Sequence, residues 1–403
     1  MSEPRVVTVS TYAEAREVYR QKSLRQALYD AGDVVMADVL VNLHGAQHRD
    51  RRRLENRLFR KDTHARYERE LLPPVVDATL APYVVDGHAE LVSLSHQMMM
   101  NLAALAAGVD RPLGTPEETF HLYSYLMLFI EGATLGDFTG DRDAKRAEVA
   151  AALGAFDVEF LQPSIAARRA MLARFEAGDI AEDDLPRDVL TILLRNHDNL
   201  ELPSDVVLRE TCFFLLAGAH TSATAFVRTL HNVFLLDGTD DHGAEPGVTP
   251  LELAYLQRCV HETIRLQPSS PVAMRWALGD LELGSGIRIS EGDKVVIDLM
   301  AANRDHTVFG ADAESFDPTR SLPDGVAPWG LSFGLGMHAC IGQDLAAGVD
   351  AMGHEPDEDH LYGLVAVAVG AVLTAGGRPD AQNPPQLDPN NTRGYWGNYP
   401  VVF

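Results

Sequence analysis

Three cysteines, Cys212, Cys259 and Cys340, are all the chain holds. They are too few for a disulfide framework, which points to a reducing, cytoplasmic setting. Basic residues are scarce as well. Lys and Arg number 34 against 58 Asp and Glu, a formal net charge of −24. A chain this acidic lacks the basic footprint of a general nucleic-acid binder. Long apolar runs are missing too. The opening stretch MSEPRVVTVSTYAEAREVYR has no apolar signal core, so neither export nor an N-terminal anchor is expected. One uncharged stretch, 361–377, is short for a membrane span and carries Gly363, Gly370 and Thr374. A buried core helix is expected there, with no membrane association. No repeat, low-complexity tract or composition shift marks a linker. Length alone allows two or three domains, but the even composition favours a single domain over 1–403.

What is present reads as mostly helical. Residues 5–10 alternate like a short strand. Thr11, with Glu14 three residues on, opens a helix over 12–20. From His44 to Lys61 the pattern is helical and rich in arginine, an unusual patch in an acidic chain and one suited to carboxylates, phosphates or an acidic partner. Amphipathic helices follow over 64–110 and 115–180. They include the apolar and aromatic stripe 121–130, which is either core or the wall of a pocket. Residues 204–235 form one long helical pattern. Its middle, Leu216–Thr224, is small and hydroxyl-rich, which is poor helix material and predicts a local kink beside a ligand. Thr249 and Pro250 predict the start of the next helix after the acidic loop 237–248, and Pro268 lies beyond its end. Strand alternation runs through 272–300. The tail, NTRGYWGNYPVVF, reads as a hairpin. The expected fold class is mainly α with small β-sheets.

Three motifs carry chemistry. In Phe333–Gly342 a cysteine sits in a glycine-rich loop, and glycine lets the backbone turn with positive φ close to a flat ligand. A thiolate there is a candidate axial ligand for haem iron. Gly334, Gly336 and Ala339 also match a dinucleotide fingerprint, but no apolar strand precedes them and that reading fails on context. Glu262 and Arg265 form an i,i+3 acid–base pair in a largely apolar helix; alone, such a pair usually lies at the surface. Gly218–Thr221 is the third, a place where a hydroxyl is available to a ligand.

Taken together, these motifs resemble the cytochrome P-450 family of haem-thiolate monooxygenases. Phe333, Gly336, His338, Cys340 and Gly342 match its F-x-x-G-x-H-x-C-x-G signature, and Glu262 and Arg265 its E-x-x-R pair. Arg320 resembles the third member of that network, Ala301–Asp305 the stretch before it, and Ala217–Thr221 the oxygen-activating groove. The resemblance implies a single-domain fold of the soluble bacterial type and heme b, iron protoporphyrin IX, ligated by Cys340. It implies that His48, Arg52, Arg275 and His338 meet the propionates, with Phe333 and Gly342 also at the cofactor. Thr221 and His220 would handle protons, while Phe213, Phe214, Ala217, Val272, Ala273 and Met274 would line the substrate pocket. The implied reaction inserts one oxygen atom from O2 into a small or medium organic molecule by hydroxylation, O-demethylation or epoxidation. Electrons would come from a separate ferredoxin or flavodoxin docked on the arginine-rich segment. The alternatives are a peroxide-driven or redox-neutral haem enzyme, or a haem-thiolate binding or sensor protein.

Three departures from the family pattern stand out. His220 replaces the acid that usually precedes the threonine. A shortened N-terminus is expected, since residues 5–20 resemble a part of the fold that normally follows another helix and strand. The helix after Cys340 has Ala347 where an arginine is usual, and an acidic insert, 350–360, then interrupts it. A solvated loop is expected for that insert.

Overall fold

Val6–Val9 (β1) alternates exposed and buried side chains, as a strand with one packed face must. Thr11 ends it by accepting a hydrogen bond from the Glu14 amide, and the freed chain turns into α1 (Tyr12–Arg20). The computed structural model describes residues 4–196, 202–237, 251–351, 354–389 and 393–403. The main elements continue with β2 (Leu24–Gln26), α2 (Gly45–Glu55), α3 (Leu72–Asp86), β3 (His88–Glu90) and α4 (Leu91–Ala107). Next come α5 (Pro116–Ala133), α6 (Arg142–Phe156), α7 (Gln162–Glu176), α8 (Val189–Arg195), α9 (Ser204–Asp237) and α10 (Leu253–Leu266). After them lie β4 (Val272–Ala277), β5 (Leu281–Glu282), β6 (Arg288–Ile289) and β7 (Lys294–Asp298). The chain closes with α11 (Gln343–Ala347), α12 (Leu364–Thr374), β8 (Arg378–Pro379), β9 (Gln386–Leu387), β10 (Trp396–Asn398) and β11 (Pro400–Val402). The architecture is mainly α with small sheets, as expected.

The chain packs as two compact units. One takes Met1–Arg25, His64–Met98 and Thr221–Phe403; the other takes Gln26–Thr63 and Met99–His220. In the first unit a sheet of order β1-β7-β4-β2 is joined parallel at β1–β7 and antiparallel at β4–β7. Tyr12, Ala15, Val18 and Tyr19 lie on one face of α1 and pack with Val9, Val295, Ile297 and Leu331. Burying each such aliphatic side chain contributes roughly 1.5–3 kcal/mol. The uncharged stretch near the C-terminus is α12, apolar all round and buried on most of its residues, as a core helix should be.

Two expectations need correction. The tail is not a hairpin. β10 pairs with β9, while β11 lies between β3 and β8. β11 has only three residues, and its position between two partners is what buries the central Val401. The helix over 204–237 is also unbroken through its small residues. Gly218 permits close packing there instead of a kink: a Cβ on it would come within 3.3 Å of the Ala103 Cβ. The expected helix start at Thr249–Pro250 and the loop before it lie outside the described residues, and α10 begins at Leu253 after Glu252.

The second unit is a helical assembly whose aromatic residues interlock. The Phe129 and Phe156 rings meet edge-on at 5.4 Å, and Tyr125 and Phe160 complete the cluster. The stripe 121–130 is therefore core at Leu122, Tyr125, Leu126 and Phe129. The helical run Arg142–Glu176 is long and apolar enough to cross a membrane by length and composition. One side of it, including Val149, Phe156 and Phe160, is buried in this core, which is how a core helix meets the same test.

Candidate active site

The cysteine loop is a short structure held from several directions. Gly334 and Gly336 have φ of 64° and 70°, the left-handed region that glycine enters at little cost. A side chain on Gly336 would press to 2.7 Å from the Tyr19 carbonyl oxygen. The Cys340 amide donates to the Phe333 carbonyl at 2.8 Å, closing the loop. Below it, Trp329 meets Phe333 edge-on at 5.5 Å and His261 at 4.9 Å. Cys340 is exposed, whereas Cys212 and Cys259 are buried. Burial pushes the Cys259 thiol up to about 12 and the Cys212 thiol well above its ordinary value. A buried thiol resists ionisation and is inert, so Cys340 is the thiol suited to act as a thiolate.

The Glu262–Arg265 pair is not a surface pair. Both residues are almost fully buried on α10, and Arg265 forks onto the carboxylate at 2.6 and 2.7 Å. Arg320 Nε reaches the same carboxylate at 3.2 Å, so the expected three-residue network exists. Its reach is wider than the motif. Arg265 Nη1 donates to the Asn303 and Ala313 carbonyls at 2.7 and 2.8 Å. The Asn303 side chain donates to the Arg265 carbonyl and to Ser332 Oγ, and it accepts from the Leu331 amide. Ser332 Oγ donates to the Ile264 carbonyl at 2.8 Å. Asn303 thus ties α10 to the turn at Leu331 and Ser332 that leads into the cysteine loop. Sequence reading noted the Ala301–Asp305 stretch without giving Asn303 this role.

The helix after the cysteine is held by an unusual device. α11 ends at Gly348, with φ of 76°. The Ala347 carbonyl, at the position where an arginine is usual, accepts from Gln257 Nε2 at 3.1 Å and His261 Nε2 at 2.8 Å. Gln257 Nε2 also reaches the Val349 and Leu361 carbonyls. Burial holds the His261 pKa down to about 4, so its ring is a neutral N–H donor. The acidic insert returns along Arg69, which donates to Asp359 Oδ1 and the Glu358 carbonyl. Glu68 takes the Tyr362 and Gly363 amides.

The other expected residues divide between the two units. In the first, Arg275 is buried, lies over the Tyr19 ring at 5.2 Å, and donates to the Met274 carbonyl. Tyr19, which the sequence analysis passed over, supports both Arg275 and Gly336. Val272, Ala273 and Met274 run along β4 opposite Asp298, Ile297 and Val296, each partly exposed. His338 is partly exposed in the loop's single 3-10 turn, and Gly342 caps α11. Thr221 is exposed although it lies mid-helix, and its carbonyl accepts from Ser269 Oγ at 3.1 Å.

In the second unit, Phe214 stacks on Phe59 at 6.0 Å and meets Phe213 at 5.4 Å. Ala217 and His220 are partly exposed and Gly218 is exposed. A helix interior that leaves Gly218 and Thr221 uncovered presents its backbone for close approach. His48 is buried in α2, and burial, then Arg52 and His44, bring its pKa to about 4. A neutral His48 offers a hydrogen bond without a positive charge. Arg52 Nε meets Asn56 Oδ1 at 2.9 Å. The arginine patch is also smaller than its sequence suggests. Arg49, Arg53, Arg57, Arg60 and Lys61 are exposed, but Arg51 is buried against Glu210 at 2.8 Å.

Comparison with known proteins agrees with this geometry. The cytochrome P450 family model matches residues 251–348, the span from α10 to the end of the cysteine loop's helix. The probable cytochrome P450 313a3 of Drosophila melanogaster is 30% identical over 175 residues, 38% of this chain and 35% of that protein. The matched segment thus spans about a third of that relative's length. Similarity to solved structures runs through nearly the whole chain. A structure of CalO2 superposes with a TM-score of 0.71 at 20% identity, covering 99% of this chain and 90% of the other. P450BioI, in complex with hexadec-9Z-enoic acid ligated acyl carrier protein, superposes with a TM-score of 0.70 at 18% identity, covering 98% and 91%. A closed glycine loop around an exposed thiol, a buried Glu262–Arg265–Arg320 network beneath it and these likenesses converge: the chain has the cytochrome P450 fold, and its residues 251–348 match that family's model.

Proposed function

We propose that the chain is a haem-dependent monooxygenase in which residues 1–403 act as one haem-thiolate domain. The observation that carries this reading is the Cys340 loop: the thiol is exposed while its backbone is locked by Phe333, Tyr19 and the Asn303 network. The donor set fits iron protoporphyrin IX. Cys340 would hold the iron. Arg275, Arg52, His338 and neutral His48 would hold the propionates, the arginines by charge-assisted bonds. When bound, the haem supplies the activation of O2 and the transfer of one oxygen atom to substrate.

This chain's own residues have three tasks in that reaction. Glu262, Arg265, Arg320 and Asn303 keep the thiolate loop rigid. Thr221, with its hydroxyl on an exposed stretch of helix, positions a proton donor, and His220 beside it moves protons near neutral pH. Phe213, Phe214, Ala217, Val272, Ala273 and Met274 supply apolar surface that orients a small or medium organic substrate and excludes water. Electrons arrive from a separate ferredoxin or flavodoxin at Arg49, Arg53, Arg57, Arg60 and Lys61. The acyl carrier protein bound by P450BioI makes a carrier-tethered acyl chain one substrate class to screen. A soluble, cytoplasmic protein is consistent with a chain that holds three cysteines, too few for a disulfide framework.

His220 favours one rival, a peroxide-driven enzyme that bypasses proton delivery. The test is substrate oxidation with NAD(P)H, ferredoxin and reductase, set against peroxide alone. Donor-dependent product formation is expected, and Thr221→Ala should divert electrons from product while His220→Asp supports turnover. Activity with peroxide only would overturn the monooxygenase reading. Ligand binding without turnover under either condition would replace it with a sensor.

A further inference from the structure

Within the second unit, two carboxyl groups are buried together where no proton-handling role has been given to either. Glu55 on α2 and Glu210 on α9 have no exposed surface. Glu210 is well served: Arg51 Nη1 donates to it at 2.8 Å and the Leu40 amide lies 3.1 Å from both its oxygens. Glu55 receives no donor on either oxygen, and it lies one helical turn beyond Arg51, on the same buried face of α2 that carries the Arg51 guanidinium to Glu210. Two ionised carboxylates cannot bond each other, and an uncompensated buried charge is costly. One proton resolves both problems: neutral Glu55 donates to Glu210, and Arg51 balances the single remaining charge.

Among the described residues, no second cation reaches Glu55 at bonding distance. On α2, Arg51 is taken by Glu210, Arg52 is bonded to Asn56, and His48 is neutral. On α9, Arg209 is taken by the Ala37 carbonyl and Asp205. On α8, which packs on α2, Arg195 is bonded to Glu182. The turn Leu40–Asn42 brings no titratable side chain. Burial first, then the neighbouring Glu210, raises the Glu55 pKa well above the carboxylate range.

We propose that Glu55 and Glu210 share one proton, and that this proton with Arg51 clamps α2 to α9 and so positions His48 and Arg52. The clamp rests on the reading above only where it assigns those two residues to the cofactor's carboxylates. His48, Arg51 and Glu55 follow one another along the buried face of α2, so a shift of the clamp moves the whole face. Its sign follows from linkage. The folded chain keeps a proton that the unfolded chain releases above the ordinary carboxylate range. Folding therefore weakens as pH rises toward the raised value, by as much as tenfold in the equilibrium constant per pH unit.

The test uses the haem-loaded full chain as wild type, Glu55→Gln, Glu210→Gln, and His48→Ala with Arg52→Ala. Infrared spectra of the wild type at neutral pH should contain a protonated-carboxyl stretch that Glu55→Gln removes; this reading needs only the wild-type fold. The thermal midpoint and the rate of haem transfer to apomyoglobin are then followed against pH. The wild type should lose stability and haem faster as pH rises. Glu55→Gln, which donates permanently, should flatten both profiles, and Glu210→Gln should lower the midpoint by a few degrees throughout. A missing carboxyl band in the wild type, or a Glu55→Gln profile that keeps the alkaline fall, overturns the clamp. If Glu55→Gln flattens the stability profile while His48→Ala with Arg52→Ala leaves haem transfer unchanged, the clamp stands and the assignment of those residues to the cofactor fails.

Discussion

Replacing Arg265 by Met tests the network under the thiolate loop most severely. Methionine approximates the length of the stem but removes the guanidinium. The loss takes from Glu262 its two short bonds at 2.6 and 2.7 Å, leaving Arg320 Nε at 3.2 Å and the Asp317 amide at 3.1 Å. It also removes the donor to the Asn303 and Ala313 carbonyls and the cation over the Phe309 ring at 4.8 Å. Arg265 is wholly buried, so water does not replace these partners. Breaking a buried ion pair from one side costs about 3–5 kcal/mol. Unfolding entropy near 2.1 cal/mol/K per residue gives the 403-residue chain about 0.85 kcal/mol per degree. The thermal midpoint should therefore fall by ~4–6 °C in a calorimetric scan. Arg265→Lys keeps the charge but not the fork, and should recover only part of the loss. Because Asn303 links the network to Ser332 and Leu331, the haem content of Arg265→Met should fall with the midpoint. A midpoint within about 1 °C of wild type would refute the reasoning.

Three further outcomes are expected. Reversing Arg49 and Arg53 to Glu should slow reduction by the electron donor and flatten its salt dependence, since both side chains are exposed on α2; an unchanged reduction rate removes the docking face. Gly348→Ala forces a side chain into φ of 76° and against Gln257 Nε2 and the Leu361 carbonyl, costing more than about 2 kcal/mol; wild-type stability by denaturant titration would contradict the packing at that helix end. His261 contributes an acid limb: its folded pKa of about 4 lies below the ordinary 6.5, so the unfolded chain binds the proton first and stability is lost as pH falls between those values. His261→Gln keeps an N–H donor toward Ala347 and should shrink that limb of the thermal-midpoint profile, leaving the share that His48 and His96, also held down to about 4, contribute.

Local rules made much of this molecule legible. Thr11 and Glu14 announced α1, alternation announced β1 and β7, and the uniform apolarity of 361–377 announced a core helix. The Cys340 loop was legible as a candidate site because glycine spacing around one thiol constrains a short segment. The rest depended on distant residues. Whether Glu262 and Arg265 pair inside or outside depends on Asn303 and Ala313, about forty to fifty positions away. Arg51 looked like its exposed neighbours until Glu210, on another helix, claimed it. Nothing around Leu216–Thr224 reveals that Ala103 packs close to one side of Gly218 while the helix runs unbroken. The tail misled for a similar reason: β3 and β8, the partners of β11, are remote in sequence.

The central claim is that Cys340 supplies the thiolate to haem iron. The most direct measurement is the carbon monoxide difference spectrum of the reduced protein, compared between wild type and Cys340→His. The account predicts a thiolate-type spectrum in the wild type and its complete loss in Cys340→His, with the variant still folded. A variant that keeps the thiolate-type spectrum, or a haem-loaded wild type that never shows one, would contradict it.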